Sequence, residues 1–332
     1  MNLQRILIIQ TAFIGDVVLA TPLITQMRLF FPKVAIDFLV RKGNESLLAE
    51  DTRIENILIW NKKEKIKSLV KLIRQIRKSN YDVVINVQRY YSMGLVTFLS
   101  HAKVKIGFDK NPFSWSFDHA IAHSLMYRIH EVDRNLELLR PFGPISKLKP
   151  ELKLSESTFA SITKYKATPY ITIAPASIWK TKQFPLHKWV SFIESIESKL
   201  IVYIIGGPDD KKLGNEIHQQ THEGVVNLCG NLNLLQSAAL MEGALMNYVN
   251  DSAPMHLASA MNAPTTAIFC STIPAFGFGP LSDNCVVIES SQKLNCRPCG
   301  IHGFKFCPEK HFNCAEKISV KSLLNRLYYY FY

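Results

Sequence analysis

The chain has 332 residues, of which 47% are hydrophobic and 20% charged. This balance excludes a disordered chain or a coiled coil and suits two domains of ordinary size. The net charge is +12, and residues 1–150 carry +10 of it. The first half is therefore expected to face something anionic, whether nucleic acid, a phospholipid surface or a phosphorylated substrate, unless the excess is simply a solvated basic surface.

Short apolar runs alternate with amphipathic stretches. Arg5–Gln10 reads as a buried strand and Asp16–Phe31 as a helix stopped by Pro32. Strands are expected at Val34–Val40 and Ile57–Trp60. A basic helix follows at Lys63–Lys78, with Ile66, Leu69, Val70, Ile73 and Ile76 on one face. Tyr81–Val87 and Val104–Gly107 read as further strands. The segment Pro141–Pro150 is rich in breakers and has no period. The alternation then restarts, with strands at Tyr170–Ala174, Leu200–Gly206, Val225–Leu228, Leu245–Val249 and Thr265–Phe269. Helices are expected at His187–Ser198, Lys211–His222, Leu234–Gly243 and Ala253–Met261, with an aromatic helical tail from Val320. Strand–helix alternation of this kind implies parallel α/β sheets with helices on both faces. The expected boundaries are a first domain at 1–145, a linker region at 146–168, a second domain at 169–318 and a tail at 319–332.

The longest apolar runs, Ile6–Ile9 and Ile201–Ile205, have strand length and fall far below the roughly 18–20 residues that cross a bilayer. Only Arg5 precedes the first of them, so no secretory signal is readable and a cytoplasmic location is expected. Seven cysteines in a chain this long do not suggest a secreted disulfide scaffold. Four of them, Cys296, Cys299, Cys307 and Cys314, cluster with His302 and His311 interleaved. They form either a metal site or a set of reduced thiols in a tight loop.

Three stretches combine residue types that suit anion chemistry. In the first, the opening strand runs into Ile14-Gly15-Asp16 and a helix begins at once. Gly15 permits a tight turn that exposes helix N–H groups, while Asp16 either caps the helix or presents a carboxylate at the strand's carboxyl end. The second runs from Ser177 to Lys182 between a strand and a helix. There Ser177, its neighbouring N–H groups and the Lys182 ammonium can hold a diphosphate, although a surface loop with two lysines would look the same. The third is Asn250-Asp251-Ser252-Ala-Pro254-Met-His256, which places a carboxylate, a hydroxyl and an imidazole around one helix N-terminus. No GxGxxG turn is present, which argues against a nicotinamide-dependent oxidoreductase. No known nucleic-acid module is readable either, which argues against a nucleic-acid partner.

In order along the chain, Ile14–Pro22, the loop ending at Lys182, Gly206-Gly-Pro-Asp209, and Asn250–His256 resemble the motifs of glycosyltransferase family 9. These are the ADP-heptose:lipopolysaccharide heptosyltransferases. The Cys296–Cys314 segment is similar to that of the heptosyltransferase II branch. The resemblance implies a GT-B fold of two Rossmann-like doubly wound domains facing across a cleft, with acceptor bound by the first and nucleotide-sugar by the second. It makes Asp16 the general base of an inverting transfer and places Ile14 and Gly15 in the acceptor-side turn. It puts Ser177 and Lys182 on the donor diphosphate, Asp209 near the ribose or adenosine, and Asp251, Ser252 and His256 at the heptose and phosphate. It implies ADP-heptose, or another sugar nucleotide, as donor and no required cofactor or metal. The acceptor would be the lipopolysaccharide core at the cytoplasmic face of the inner membrane, reached by peripheral association.

Overall fold

The computed structural model describes residues 3–124, 129–196 and 200–328. The chain divides into two compact units, Met1–Lys153 and Leu154–Tyr332.

Unit 1 is built as β1 (Arg5–Ile9), α1 (Ile14–Ala20), α2 (Pro22–Phe30), β2 (Ala35–Arg41), β3 (Asn56–Trp60) and α3 (Lys65–Lys78). It continues with β4 (Val83–Asn86), α4 (Tyr91–Phe98), β5 (Val104–Phe108), β6 (His119–Ile121) and α5 (Glu131–Glu137). The six strands form one parallel sheet in the order β3-β2-β1-β4-β5-β6, with Ile8 paired to Phe38 on one side and Ile85 on the other. Strands in such a sheet are covered on both faces. Ile6, Leu7, Ile8 and Ile9 accordingly all lack solvent exposure, and β1 reads as an unbroken apolar run.

The helix expected over Asp16–Phe31 is two helices. Pro22 has no N–H to donate back into the first, so Thr21 closes α1 with its N–H and hydroxyl both on the Val18 carbonyl. The short elements α4, β6 and α5 have no strong period and were not legible in advance.

Unit 2 begins with α6 (Glu156–Ser161), inside the segment expected as a linker. It continues with β7 (Tyr170–Ala174), α7 (Leu186–Glu194), β8 (Ile201–Ile204), α8 (Lys211–His218), β9 (Val225–Asn227), α9 (Leu234–Glu242) and β10 (Asn247–Asn250). Then come α10 (Ala253–Ala260), β11 (Thr265–Phe269), β12 (Cys285–Glu289), α11 (Asn313–Glu316) and α12 (Val320–Tyr328). The expected end of the α7 helix at Ser198 lies outside the described residues. The sheet is again parallel and six-stranded, ordered β12-β11-β10-β7-β8-β9.

Its core packs Trp189 edge-on against Phe184 (5.2 Å between centroids) and Phe192 against Tyr248 (4.5 Å). The Tyr248 hydroxyl donates to the Leu323 carbonyl at 3.0 Å, and Leu323 and Leu327 are buried. The tail as far as Tyr328 therefore belongs to the core of unit 2; the remaining aromatic residues expected there, Tyr329–Tyr332, lie outside the described residues. No helix among the described residues is long and apolar enough to cross a membrane.

Candidate active site

In both sheets the strand order reverses at one internal pair of strands, β1/β4 in unit 1 and β7/β10 in unit 2. Ligands of doubly wound sheets bind beyond the carboxyl ends of the strands at such a switch point. Apart from Asp209, the residues singled out by sequence lie near that point in each unit.

In unit 1 the loops leaving β1 and β4 are laced together. The Gln10 side-chain carbonyl accepts from the Gln88 amide and from the Ala12 N–H, and the Asn111 amide donates to the Gln88 carbonyl at 2.8 Å. Asp16 is the third residue of α1. Its carboxylate accepts the Phe13 N–H at 3.0 Å, which satisfies one of the free donors at the helix start. Asp16 thus caps from inside the helix and not from the N-cap position, which Phe13 holds. Gly15 is buried in the first turn of α1 and does not have a positive φ, so the tight turn expected of it is not formed; Ile14 opens the helix.

Charged groups surround this turn. The Arg41 guanidinium lies 4.5 Å from the Phe13 ring centroid. Burial lowers its pKa, and the nearby Asp16 charge acts in the opposite direction. Glu131, on α5, pairs with Arg134 at 2.8 Å. Burial raises the Glu131 carboxyl and the Asp16 charge adds to that, while Arg134 pulls it down. Beside these groups is a cavity of about 430 Å³ lined by Arg89, Tyr90, Lys110 and His123, from the ends of β4, β5 and β6. His123 is driven down to about 4 by burial and by the Arg89 and Arg134 charges, so it is neutral in this cationic setting.

In unit 2 the Lys182 ammonium meets Asp251 at 2.7 Å, and both side chains are largely buried. The same Asp251 oxygen accepts the Thr272 hydroxyl at 2.6 Å. Asn250, the last residue of β10, accepts the Phe184 N–H and donates to the Ala174 and Pro175 carbonyls, which fixes the Ser177–Lys182 loop against β10. Ser177 accepts from the Gln183 amide through its carbonyl.

Ser252 is the N-cap residue of α10, yet its hydroxyl makes no cap hydrogen bond and turns back to the Asn250 carbonyl at 3.4 Å. Its φ of −157° and ψ of 177° keep the segment extended until the helix begins. His256 is buried one turn into α10. The structure thus gathers Lys182, Asp251, Ser252 and His256 at one helix start, with Ser177 in the adjoining loop. Asp209 stands apart, exposed beyond β8, with no hydrogen bond or ion pair to this group.

The cysteine-rich segment braces the same loop. The Arg297 guanidinium donates to the Cys270 and Thr272 carbonyls at 2.7 Å each and pairs with Glu289. The Cys299 N–H donates to the Ser271 carbonyl, and Thr181 exchanges hydrogen bonds with the Phe304 backbone. At Gly303, where φ is +77°, a Cβ would fall 2.8 Å from the Thr181 hydroxyl, so only glycine suits both the conformation and the space. Burial raises the Cys299 thiol and pushes Cys314 up to about 12, which keeps them protonated. Among the described residues no three His, Cys, Asp or Glu side chains are placed to hold a metal ion.

Two parallel six-stranded sheets of identical strand order, each with polar groups at its switch point, define a protein of the GT-B class built from two Rossmann-like domains. The chain belongs to glycosyltransferase family 9 (heptosyltransferase), whose pattern it matches over residues 69–304, and it is a glycosyltransferase. It is 28% identical over 294 residues to lipopolysaccharide heptosyltransferase 3 of Escherichia coli, covering 82% of this chain and 85% of that one. Its fold matches that of E. coli ADP-heptose lps heptosyltransferase II with a TM-score of 0.83 at 20% identity, covering 98% of each chain. It also matches the glycosyl transferase family 9 structure from Veillonella parvula DSM 2008, with a TM-score of 0.89 at 19% identity over 99% and 98% of the two chains.

Proposed function

We propose that this enzyme transfers heptose from ADP-heptose to the inner core of lipopolysaccharide with inversion at the anomeric carbon. The observation that carries the reading is the Lys182–Asp251–Thr272 group at the start of α10, in a chain of this family. A helix start supplies free N–H groups and partial positive charge, and Lys182 adds an ammonium donor that Asp251 holds in place. This is the arrangement a departing diphosphate needs.

The acceptor hydroxyl attacks the anomeric carbon as the bond from that carbon to the ADP oxygen breaks. The electron pair leaves with the β-phosphate, and Asp16 takes the hydroxyl proton. Ser177 adds a hydroxyl to the diphosphate, Asp209 contacts the ribose or adenosine, and Asp251, Ser252 and His256 line the heptose and phosphate. Ile14 and Gly15 carry the acceptor-side turn. Arg89 and Lys110 suit the phosphates and carboxylates of an inner-core acceptor. The reaction as written needs no metal or cofactor, and nucleic acid has no part in it. The acceptor is reached by peripheral association with the cytoplasmic face of the inner membrane.

Mass spectrometry of a panel of nucleotide-sugars incubated with enzyme and core-truncated lipopolysaccharide tests the donor; consumption of ADP-heptose is expected, and consumption of another sugar nucleotide alone would replace it. Asp16→Asn should lower turnover about 10²–10⁴-fold with donor binding unchanged. Near wild-type turnover would remove Asp16 as the base.

A further inference from the structure

Unit 1 carries an aromatic surface that the transfer reaction does not use. Trp115 is 73% exposed, and Tyr91 and Phe98 on α4 are exposed beside it. Phe98 lies 5.2 Å from Trp115 and 5.8 Å from Phe113, and Tyr91 lies 5.1 Å from Phe113. Isolated exposed aromatics are ordinary, but a contiguous strip marks an interaction surface.

This strip is also rigidly built. At Gly94 on α4, a Cβ would fall 2.1 Å from the Asn111 side chain and 2.8 Å from the Phe113 ring, so the 111–116 turn sits directly on the helix. Asn111 holds it there, accepting the Phe113 N–H and donating to the Gln88 carbonyl. The aromatic rings are therefore displayed on a fixed support, so little ordering entropy is lost on binding.

The neighbouring helix supplies the charge. Arg77 on α3 donates to the Leu99 carbonyl at the end of α4 at 2.7 Å, and Leu69 and Leu99 pack on the same apolar cluster. Residues 62–78 contain eight Lys or Arg against the single Glu64. On α3, Lys67, Lys71, Arg74 and Lys78 are exposed, and Ile66 is 79% exposed. The apolar stripe of α3 is thus wider than the sheet beneath it covers.

We propose that α3, α4 and the 111–116 turn form a docking face for an anionic phospholipid surface. Trp, Tyr and Phe rings enter the headgroup boundary while lysines and arginines meet lipid phosphates. The charge of this layer selects an anionic bilayer over a neutral one, and the breadth of the aromatic strip favours a lipid boundary over a single stacked sugar. The inference draws its purpose from the membrane-borne acceptor proposed above, but adsorption to lipid is measured without any sugar.

The test is sedimentation of the full-length protein with phosphatidylcholine vesicles with and without about one-third phosphatidylglycerol. Binding is expected only with the anionic lipid, falling several-fold as salt rises from about 50 to 300 mM. Trp115→Ser with Ile66→Ser should weaken it about tenfold at unchanged circular dichroism and unchanged turnover on a delipidated acceptor. Lys67→Glu with Lys71→Glu should do the same through charge alone. Wild-type protein that ignores the anionic vesicles, or binding unaffected by either pair, would overturn the proposal. So would a several-fold rise in KM for the delipidated acceptor with vesicle binding intact, since that would make the strip a sugar site. Vesicle binding without consumption of ADP-heptose would leave this inference standing and end only the donor assignment.

Discussion

The switch points of the two units start from the same strand order and are finished differently. In unit 2 the cation is committed: Lys182 is paired with Asp251, Asp251 is bonded to Thr272, and Thr181 is clasped by the Phe304 backbone. In unit 1, Arg89 and Lys110 line a cavity, and neither forms an ion pair among the described residues. Sequence charge already separates the halves, since residues 1–150 hold +10 of the +12. The structure shows where the two switch points differ: Arg89 and Lys110 of unit 1 have no paired carboxylate among the described residues, while Lys182 of unit 2 is paired with Asp251. A braced site is suited to a ligand of constant chemistry, such as a nucleotide diphosphate. An open cationic site is suited to an acceptor bound through its exposed anionic groups.

This contrast can be broken by mutation. Asp251→Ala leaves the Lys182 ammonium buried without its partner and should destabilise the protein by about 3–5 kcal/mol in urea unfolding. A loss within about 0.5 kcal/mol would show that the pair braces nothing. Gly303→Ala forces a side chain onto the Thr181 hydroxyl at positive φ. It should cost about 2 kcal/mol and raise the donor KM several-fold, with the acceptor KM unchanged. An equal rise in both constants would mean the brace does not act on the donor loop alone.

Arg89→Ala should reverse the pattern. Stability should stay within about 0.5 kcal/mol, while KM for a phosphorylated or carboxylated acceptor rises about tenfold, or 1.4 kcal/mol. A matching rise in donor KM would contradict the assignment of the cavity to the acceptor.

The smallest effect concerns pH. His123 titrates near 4 in the folded protein against 6.5 unfolded, so the unfolded chain binds the extra proton between those values. Its contribution to stability is full above about pH 6.5 and falls as pH drops toward 4, by about 1 kcal/mol between pH 6.5 and 5 after allowing for solvent screening. His123→Gln should flatten that part of the stability curve. An unchanged slope would place the titrating group elsewhere.

Strands β7 and β11 were read from the sequence to the residue because a strand buried on both faces is a run of apolar and β-branched residues that ends at polar or breaker residues. Strands β6 and β12 were not read: both are edge strands, β6 with only three residues and β12 only partly buried. The residues Asp16, Lys182, Asp251, Ser252 and His256 stood out because each sits at a strand-to-helix junction, where a local pattern marks a helix start. Their partners did not stand out. Thr272 lies 21 residues from Asp251, and Phe304 lies 123 residues from Thr181, and no periodicity links loops so far apart. Glu131 was missed for the same reason: it matters to Asp16 only because α5 is brought to that turn.

By itself the amino-acid sequence determined the alternation of strands and helices, the two-unit plan and the acid, base and hydroxyl groups at the strand ends. Those properties follow from local hydrophobic period and turn chemistry, which act over a few residues. Tertiary structure alone decided that Lys182 is held by Asp251, that the cysteine-rich segment clasps Thr181, and that Arg89, Lys110 and a neutral His123 share one cavity. Such pairings depend on which loops the sheet order brings side by side. Burial sets the pKa of the groups that end up there, and it is a property of the assembled fold and not of any stretch of chain.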